Sequence, residues 1–558
     1  MRDVKKVKAF GAAVLALSLV GAACGSSKSS KNDTTNTTAS ASATKEGGDL
    51  VFAAEQEGAT MDWISSDAGA AWFIWTVETN TMPRLLDFTS DNTYAPSPVL
   101  AGEPKLEPGP PMKVTYTISP KAKWDDGQPI TSHDIKYTWD QIVNGKDIYD
   151  KSGYELISSI DDSKPDTAVV TFKSNYSPWR DLFSGNYGVY PSHLLEGKDR
   201  NALMKDGYTF SGGPWKLDHW TKGVEVKLVP NPNYFGQKAH LSSITFKFIT
   251  DTAAEQAAFK SGQVAFVYPQ AQPGQETLKS VPGAKADVTS GLSFEGLWFN
   301  TSVAPLDSLK VRQALAYATD RDAIVKQLFA PIQPDIQRID SWYTPAFNKY
   351  YSTPFSVYSP PAADKVTQLM TSDGWAKGPD GIWAKAGKKA TFELKTTTGN
   401  QRRLLTAQIV QNQWKAQGFD LTITPEKSGV LFGTDLPTGN FQIGLYAQNP
   451  TSNDPSFCVL WCSKNIPSAA NGNTGNNYTR LKSDAIDKPW LALENELDDT
   501  KKVDEAKAGQ QALADNLPAL PLDPFPDILV YNADKFTGPV KHNYAYGPFT
   551  YANLWSIK

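Results

Sequence analysis

The side chains best suited to covalent or metal chemistry are few in this sequence of 558 residues. It contains three cysteines, at positions 24, 458 and 462, and five scattered histidines, at positions 133, 193, 219, 240 and 542. Cys458 and Cys462 stand in the run CVLWC, and two thiolates supply only half of a tetrahedral metal shell. In an exported protein this pair favours a disulfide over a metal site. Because C-x3-C spacing would strain a bridge inside a regular helix, we expect a loop there.

The common signatures of enzyme active sites do not occur in the sequence. Neither Gly-x-Ser-x-Gly nor His-Glu-x-x-His is found, and the GKK of residues 387–389 is not followed by the Ser or Thr of a phosphate-binding loop. A secreted glycoside hydrolase needs only two carboxylates at a set separation, so that class stays open as an alternative. We predict a protein that is not an enzyme and that uses no metal ion or cofactor.

The N-terminal 47 residues have the pattern of an export signal followed by a tether. MRDVKKVK is basic, AFGAAVLALSLVGAA is an uncharged run of 15 residues, and Cys24 follows directly. This run is short for a membrane-spanning helix, so residues 1–23 are predicted to be a signal peptide, with a membrane anchor as the alternative. VGAAC resembles the lipobox of bacterial lipoproteins, although Gly21 stands where Leu is usual, and this implies lipidation of Cys24. The Ser/Thr/Asn-rich residues 24–47 are predicted to be a flexible linker.

Composition limits the classes of partner. The net charge of −4 argues against nucleic acid, because phosphate binding requires a basic face. The chain carries 16 Trp, 22 Tyr and 25 Phe residues, and Trp and Tyr are favoured in concave sites that need an apolar body with a polar tip. At roughly 150 residues per domain, the length predicts three or more structural modules.

Strand and helix patterns alternate along the chain. DLVFAAEQ (49–56) predicts a buried strand, KVTYTIS (113–119) predicts a strand with Val114, Tyr116 and Ile118 on one face, and residues 215–229 predict a hairpin. A strand-helix-strand order follows over residues 389–426. Strands that alternate with helices predict α/β lobes whose sheets are covered on both faces.

The stretch KWDDGQPITSHDIKYTWDQI (123–142) predicts a tight turn that leads into a helix. Gly127 can adopt positive φ in the turn, and Thr131 or Ser132 can cap the helix. Trp124 is expected to cover the base of the turn. We interpret this stretch as a structural element of the fold that does not contact a ligand.

Five runs in a fixed order carry a resemblance to a known family. They are residues 121–142, 211–236, 297–325, 374–400 and 517–525. Together they resemble the extracytoplasmic solute-binding proteins of ABC importers, in the oligopeptide and dipeptide group called family 5. The resemblance covers most of residues 48–558. It implies an α/β fold in the form of a two-lobed, three-domain, type II periplasmic-binding-protein clamp with two hinge strands.

The resemblance also implies a domain layout and a function. Lobe 1 is expected at 48–293 with an inserted subdomain at roughly 91–199, lobe 2 at 294–527, and a return to lobe 1 at 528–558. The implied protein is a monomeric lipoprotein on the outer face of the cell membrane, of the Gram-positive type. It would capture oligopeptides by hinge closure and deliver them to a membrane permease with its ATPase subunits.

Candidate ligand-binding residues follow from the same alignment of motifs. Glu57 lies where the family often has an acidic residue at the cleft edge, and Met61-Asp62-Trp63 replaces the usual Leu-Asp-Pro-like run. FEGLWFN (294–300) matches the strand that enters lobe 2, where an extended peptide can pair with backbone groups. Glu295 and Trp298 are the candidates in that strand.

The segment 441–457 departs from the peptide-binding pattern. Tyr446 supplies an expected aromatic ring, but Gln448 and Asn449 stand where an Asp for the peptide ammonium is expected, and Asp454 is the nearest acid. A buried ammonium needs a counter-charge. The departure therefore leaves an oligosaccharide or another small solute open as cargo, with Trp298 and Tyr446 as sugar platforms.

Overall fold

The computed structural model describes residues 45–65, 74–90, 93–184, 187–268, 271, 274–450, 455–542 and 546–558. The predicted signal peptide, Cys24, most of the predicted linker and Asp454 lie outside the described residues. Within these described ranges, no helix is long and apolar enough to cross a membrane.

The described strands are distributed over one large sheet and several small ones. In chain order they are β1 Asp49–Ala54, β2 Leu86–Phe88, β3 Tyr94–Pro96, β4 Lys105–Glu107, β5 Lys113–Thr117, β6 Ile157–Lys164, β7 Thr167–Phe172, β8 Trp215–Thr221, β9 Glu225–Pro230, β10 Ser243–Phe248, β11 Phe266–Val267, β12 Ala284–Phe299, β13 Ala376–Lys377, β14 Trp383–Lys385, β15 Lys388–Lys389, β16 Thr391–Thr397, β17 Asp420–Glu426, β18 Ile443–Gln448, β19 Ala519–Asn532, β20 Phe536–Thr537 and β21 Ser556–Ile557.

The large sheet contains ten strands in the order β17-β16-β18-β12-β19-β11-β1-β10-β9-β8. It is mixed, because β1 runs parallel to β10 and β16 runs parallel to β17, whereas β12 is antiparallel to both β18 and β19. The predicted hairpin is confirmed as the antiparallel pair β8 and β9. A separate sheet, β4-β5-β7-β6, lies inside the segment predicted as an inserted subdomain. Val114, Tyr116 and Ile118 are all buried there, as their alternation predicted.

The longer helices cover the faces of these sheets. They are α1 Ser132–Asn144, α2 Thr252–Lys260, α3 Leu309–Tyr317, α4 Arg321–Phe329, α5 Ala363–Ser372, α6 Gln401–Ala416, α7 Asp484–Asn495 and α8 Asp499–Asn516. Helix α6 joins the parallel strands β16 and β17, which is the predicted strand-helix-strand order.

Two hydrophobic cores divide the described chain. One core is built mainly from residues between 50 and 268, and the other mainly from residues between 258 and 530. The C-terminal segment packs on the first core, where the Phe52 ring contacts Phe549 and Trp555 at centroid distances of 5.3 and 5.7 Å. Two cores rather than one are what a two-lobed fold requires.

Strands β12 and β19 connect the two cores. They pair along most of their length, and β19 places Leu520 in one core and Leu529 in the other. Their register shifts between Ser290 and Phe294, which face Pro526 and Pro524. This irregularity bends the paired strands next to the predicted boundary at residues 293 and 294.

Candidate ligand-binding cleft

A cleft of about 210 Å³ lies between the two cores. One wall comes from residues 149–182 and Tyr187, several of which belong to the first core, and the other comes from residues 448–450 and 455–494, several of which belong to the second. The lining combines tyrosine, carboxylate and amide side chains with apolar ones: Tyr149, Asp150, Ser152, Tyr154, Tyr176, Pro178, Asp181, Leu182, Tyr187, Gln448, Asn449, Pro450, Pro455, Ser456, Phe457, Val459, Leu460, Asn476 and Glu494.

The two walls of the cleft touch directly at one edge. The backbone N–H of Ser177 donates a hydrogen bond of 2.7 Å to the carbonyl oxygen of Glu494. Ser177 lies in the segment predicted as an inserted subdomain, and Glu494 lies in helix α7. The structure thus describes the cleft with its walls in contact.

Asp150 is the carboxylate on the first wall whose surroundings are best defined. It is half-buried, and its Oδ1 accepts a hydrogen bond of 2.9 Å from the Ser152 N–H. Burial raises the pKa of Asp150, and the hydrogen bonds from Ser152 oppose that rise only in part. In the described part of the chain, no ion pair is formed by Asp150.

Tyrosines hold the Asp150 segment in place. The Tyr187 Oη accepts a hydrogen bond of 2.9 Å from the Asp150 N–H, and the Tyr154 Oη accepts one of 2.7 Å from the Phe183 N–H. Burial raises the pKa of both phenols well above the usual range, so both hydroxyls stay protonated at neutral pH. The adjacent Tyr149 N–H donates to the Ile64 carbonyl at 2.9 Å, which ties this wall to the chain near Asp62.

Glu494 brings a second carboxylate to the opposite wall. Its side chain is 7% exposed and accepts a hydrogen bond of 2.8 Å from Lys464. Burial raises the pKa of Glu494, and the Lys464 ammonium opposes this effect. Asp181, on the first wall, accepts a hydrogen bond from the Tyr94 hydroxyl. The lining therefore carries three carboxylates, and among its described residues there is no Lys, Arg or His.

The disulfide shapes the second wall. Cys458 and Cys462 are bonded to each other, and the residues around them form a short helix, Cys458–Trp461, instead of the loop that we expected. A single turn accommodates the bridge because Cys462 lies beyond the end of the helix in extended conformation. Val459 and Leu460 of this turn face the cleft.

Glu57 lies in the loop after β1 and contacts a hairpin away from the cleft lining. Its carboxylate accepts hydrogen bonds from the Trp220 indole N–H at 2.7 Å and from the Gly223 N–H at 2.8 Å. Both donors belong to the hairpin of β8 and β9, at the outer edge of the large sheet. This geometry favours a role for Glu57 in holding the hairpin turn.

Glu295 is fully buried in an ion-pair cluster. Its two oxygens accept hydrogen bonds from Arg402 and from the Nε of Arg403, the latter at 2.6 Å. These guanidinium groups hold the pKa of Glu295 below its usual range despite burial. Both oxygens are thus committed to side chains of helix α6, which favours a structural role over neutralising a ligand ammonium.

Trp298 and Tyr446 stack on each other inside the second core. Their rings are parallel at 5.0 Å, and the opposite face of Trp298 is covered by Trp461 at 5.2 Å. Both side chains are 1% exposed. With both faces of Trp298 covered, this arrangement does not offer the sugar platform that we expected. The stack instead supports the turn that carries Val459 and Leu460.

The strand around residues 294–299 has no open edge. It pairs with β18 on one side and with β19 on the other. An extended peptide therefore cannot add to it as a further strand, contrary to our expectation from the sequence. Gln448 and Asn449, which the sequence marked only as a departure from the family pattern, do line the cleft.

Sequence reasoning missed the carboxylates and tyrosines of the first wall. Tyr149, Asp150 and Tyr154 lie in a polar segment without periodicity, so no local pattern distinguished them from an exposed loop. Their juxtaposition with Glu494 arises only from tertiary structure. Among the described residues, no group of three or more His, Cys, Asp or Glu side chains is arranged to hold a metal ion.

Two α/β cores joined by two long strands, with a polar cleft between them, define a two-lobed solute-binding protein. The sequence profile of bacterial extracellular solute-binding proteins, family 5 Middle, matches residues 95–468, and the chain belongs to this family. The resemblance inferred from its five motifs is thereby confirmed.

Individual relatives support the same assignment. The chain is 28% identical over 431 residues to the oligopeptide-binding protein AppA of Bacillus subtilis, which covers 73% of this chain and 74% of that protein. A solved structure of AppA in complex with a nonapeptide matches with a TM-score of 0.81, at 22% identity, over 92% of this chain and all of that one. NikZ from Campylobacter jejuni, in complex with Ni(L-His), matches with a TM-score of 0.78, at 22% identity, over 91% of this chain and 99% of that one.

Proposed function

We propose that this protein captures oligopeptides outside the cytoplasm and delivers them to the permease of an ABC importer. The cleft between the two cores is the observation that carries the proposal, since its walls combine aromatic rings, amides and carboxylates with apolar side chains. The relatives named as oligopeptide-binding proteins support peptide as the cargo. Capture and release require no covalent chemistry.

Hinge closure is the mechanism that we propose for capture. A ligand that contacts both walls binds the closed form more tightly than the open form and shifts the equilibrium toward closure by that difference in affinity. The bend between Ser290 and Phe294 in β12, opposite Pro524 and Pro526 in β19, is the proposed hinge. Contact between Ser177 and Glu494 is then a mark of the closed form.

A thermal-shift screen tests the cargo. A ligand that binds only the folded state, at a hundred times its dissociation constant, adds about 2.7 kcal/mol to the free energy of unfolding. We expect members of a short-peptide library to raise the melting temperature clearly and reversibly. If no peptide does so but a xylo- or cello-oligosaccharide does, the peptide proposal is wrong.

A pair of matched variants localises the binding. Ser152→Trp places a large ring in the cleft, whereas Ser158→Trp places the same ring on the exposed surface of β6. We expect Ser152→Trp to abolish the peptide-induced stabilisation and Ser158→Trp to retain it. Equal stabilisation of both variants would place the peptide site elsewhere.

Anchoring through Cys24 is a further part of the proposal. The lipobox-like VGAAC and the Ser/Thr/Asn-rich stretch after it support a lipoprotein tethered to the outer face of the cell membrane. We expect Cys24→Ser to release mature protein into the medium or to leave an unprocessed precursor, as followed by fractionation and immunoblotting. Unchanged membrane retention together with normal processing would contradict the anchor.

A further inference from the structure

The cleft has an uneven distribution of charge between its two walls. The first wall contributes Asp150 and Asp181, and the second contributes Glu494 together with the neutral amides of Gln448 and Asn449. Among the described lining residues there is no basic side chain, and Lys464 approaches only Glu494. Because Lys464 pairs with Glu494, the rest of the negative charge in the cleft lies on the wall formed by the predicted inserted subdomain.

Asp150 is the group in this cleft that most requires a partner from outside the chain. It is half-buried, its backbone N–H is fixed by the Tyr187 hydroxyl, and its carboxylate contacts only the Ser152 segment in the described structure. A carboxylate that is withdrawn from water without a counter-charge is unfavourable, and burial accordingly raises its pKa. A ligand cation placed beside it would remove that cost.

The aromatic walls suit the same kind of ligand group. Tyr149, Tyr154, Tyr176 and Tyr187 line the cleft around Asp150. Tyrosine rings attract cations through their π faces and stack against apolar stems. An amine with an aliphatic stem therefore matches both the carboxylate and its aromatic surroundings.

We infer that the cleft selects ligands that carry a positively charged amine or guanidinium, and that Asp150 of the inserted subdomain is the residue that binds this group. The inference rests on the proposed function and adds a ligand class to it. It places cation recognition on the wall opposite Gln448 and Asn449, which stand where the family pattern has the acidic residue. The cation is either the free N-terminal ammonium of a peptide or a Lys or Arg side chain.

Competitive capture from a random peptide mixture tests this inference. The full-length protein is incubated with equal amounts of random pentapeptides that have free and acetylated N-termini, and the bound fraction is sequenced by mass spectrometry. We expect cation-carrying peptides to be enriched at least tenfold over peptides with neither a free N-terminus nor a Lys or Arg, because a charge-assisted contact in a half-buried site is strong. Enrichment of free N-termini, or of Lys and Arg within the acetylated half, identifies the source of the cation.

Variants assign the selection to Asp150. Asp150→Asn keeps an oxygen that can accept the Ser152 hydrogen bond and removes an unpaired charge, so we expect the variant to fold with a melting temperature no lower than that of the unaltered protein but to lose the enrichment. Asp150→Glu should retain most of it. Glu155→Gln removes an exposed carboxylate of the same segment that does not line the cleft, and it should leave the enrichment unchanged.

The possible results distinguish the inference about charge from the proposed capture of peptides. If neutral peptides are captured as readily as cationic ones, or if Asp150→Asn selects cations as the unaltered protein does, the inference about charge is wrong while peptide capture stands. If the protein captures no peptide from the mixture, both the proposed function and this inference are overturned.

Discussion

Replacing Asp62 with Asn should lower the free energy of unfolding by about 3–5 kcal/mol, because it removes one charge of a buried ion pair. Asp62 is fully buried, and its carboxylate accepts hydrogen bonds from the Arg200 Nε at 2.9 Å and from the Tyr190 hydroxyl at 2.6 Å. Arg200 is 3% exposed. An Asn side chain keeps the shape and one acceptor but leaves the guanidinium without its counter-charge.

Urea denaturation of the two proteins measures this loss. The matched control is Glu107→Gln, which breaks an exposed pair with Lys105 and should change the stability far less, because water and salt screen such pairs. A loss below about 1 kcal/mol for Asp62→Asn would show that Arg200 obtains compensation from other groups and would contradict our reading of the pair.

The same substitution should also affect the cleft. Asp62 lies beside Ile64, whose carbonyl oxygen accepts the hydrogen bond from the Tyr149 N–H. Loosening of residues 62–65 is therefore transmitted to the wall that carries Asp150. We therefore expect stability and ligand capture to be linked here, since the chain segment that carries the buried pair is hydrogen-bonded to the residue before Asp150.

Local sequence patterns predicted the elements of the fold well. In the stretch 123–142, Gly127 adopts a φ of +91°, Trp124 is fully buried, and Thr131 caps helix α1 in a reciprocal arrangement with Asp134. Each of these features depends on neighbours within a few residues, which is why the sequence alone was sufficient. The alternation of buried residues in β5 and the turn between β8 and β9 were predictable from the sequence for the same reason.

The candidate site was far less predictable, because its chemistry depends on partners that are distant in sequence. From the sequence, Glu295 was a candidate for binding a ligand, but in the fold Arg402 and Arg403 pair with it. Trp298 was a candidate sugar platform, but Tyr446 and Trp461 cover its faces. A strand motif tells which side chains share a face but not what covers that face. Burial and ion pairing decide which polar residues remain for a ligand.

Asp527, on strand β19 near the proposed hinge, should make the stability of the protein depend on pH. It is buried, its only described side-chain partner is the Tyr268 hydroxyl at 3.3 Å, and burial raises its pKa from 3.8 to about 7. A carboxyl whose pKa is higher in the folded than in the unfolded state favours folding at low pH, and this advantage is lost progressively as the pH rises from 3.8 to about 7. Ionised Asp527 therefore lowers the free energy of unfolding at neutral and higher pH.

Asp527→Asn should raise the free energy of unfolding, because it removes the buried charge and keeps an acceptor for the Tyr268 hydroxyl. One pKa unit corresponds to about 1.4 kcal/mol, so the difference between 3.8 and about 7 amounts to a gain on the order of 4 kcal/mol at pH 8. At pH 5 the folded carboxyl is neutral but the unfolded one is already ionised, so the gain is smaller there, about 1.6 kcal/mol, and it grows as the pH rises toward 7. Denaturation curves at pH 5, 6, 7 and 8 measure the difference between the two proteins, which isolates the titration of Asp527 from that of the other groups. A difference that stays constant across this range would contradict the assignment, because only a titrating Asp527 makes the gain grow as the pH rises.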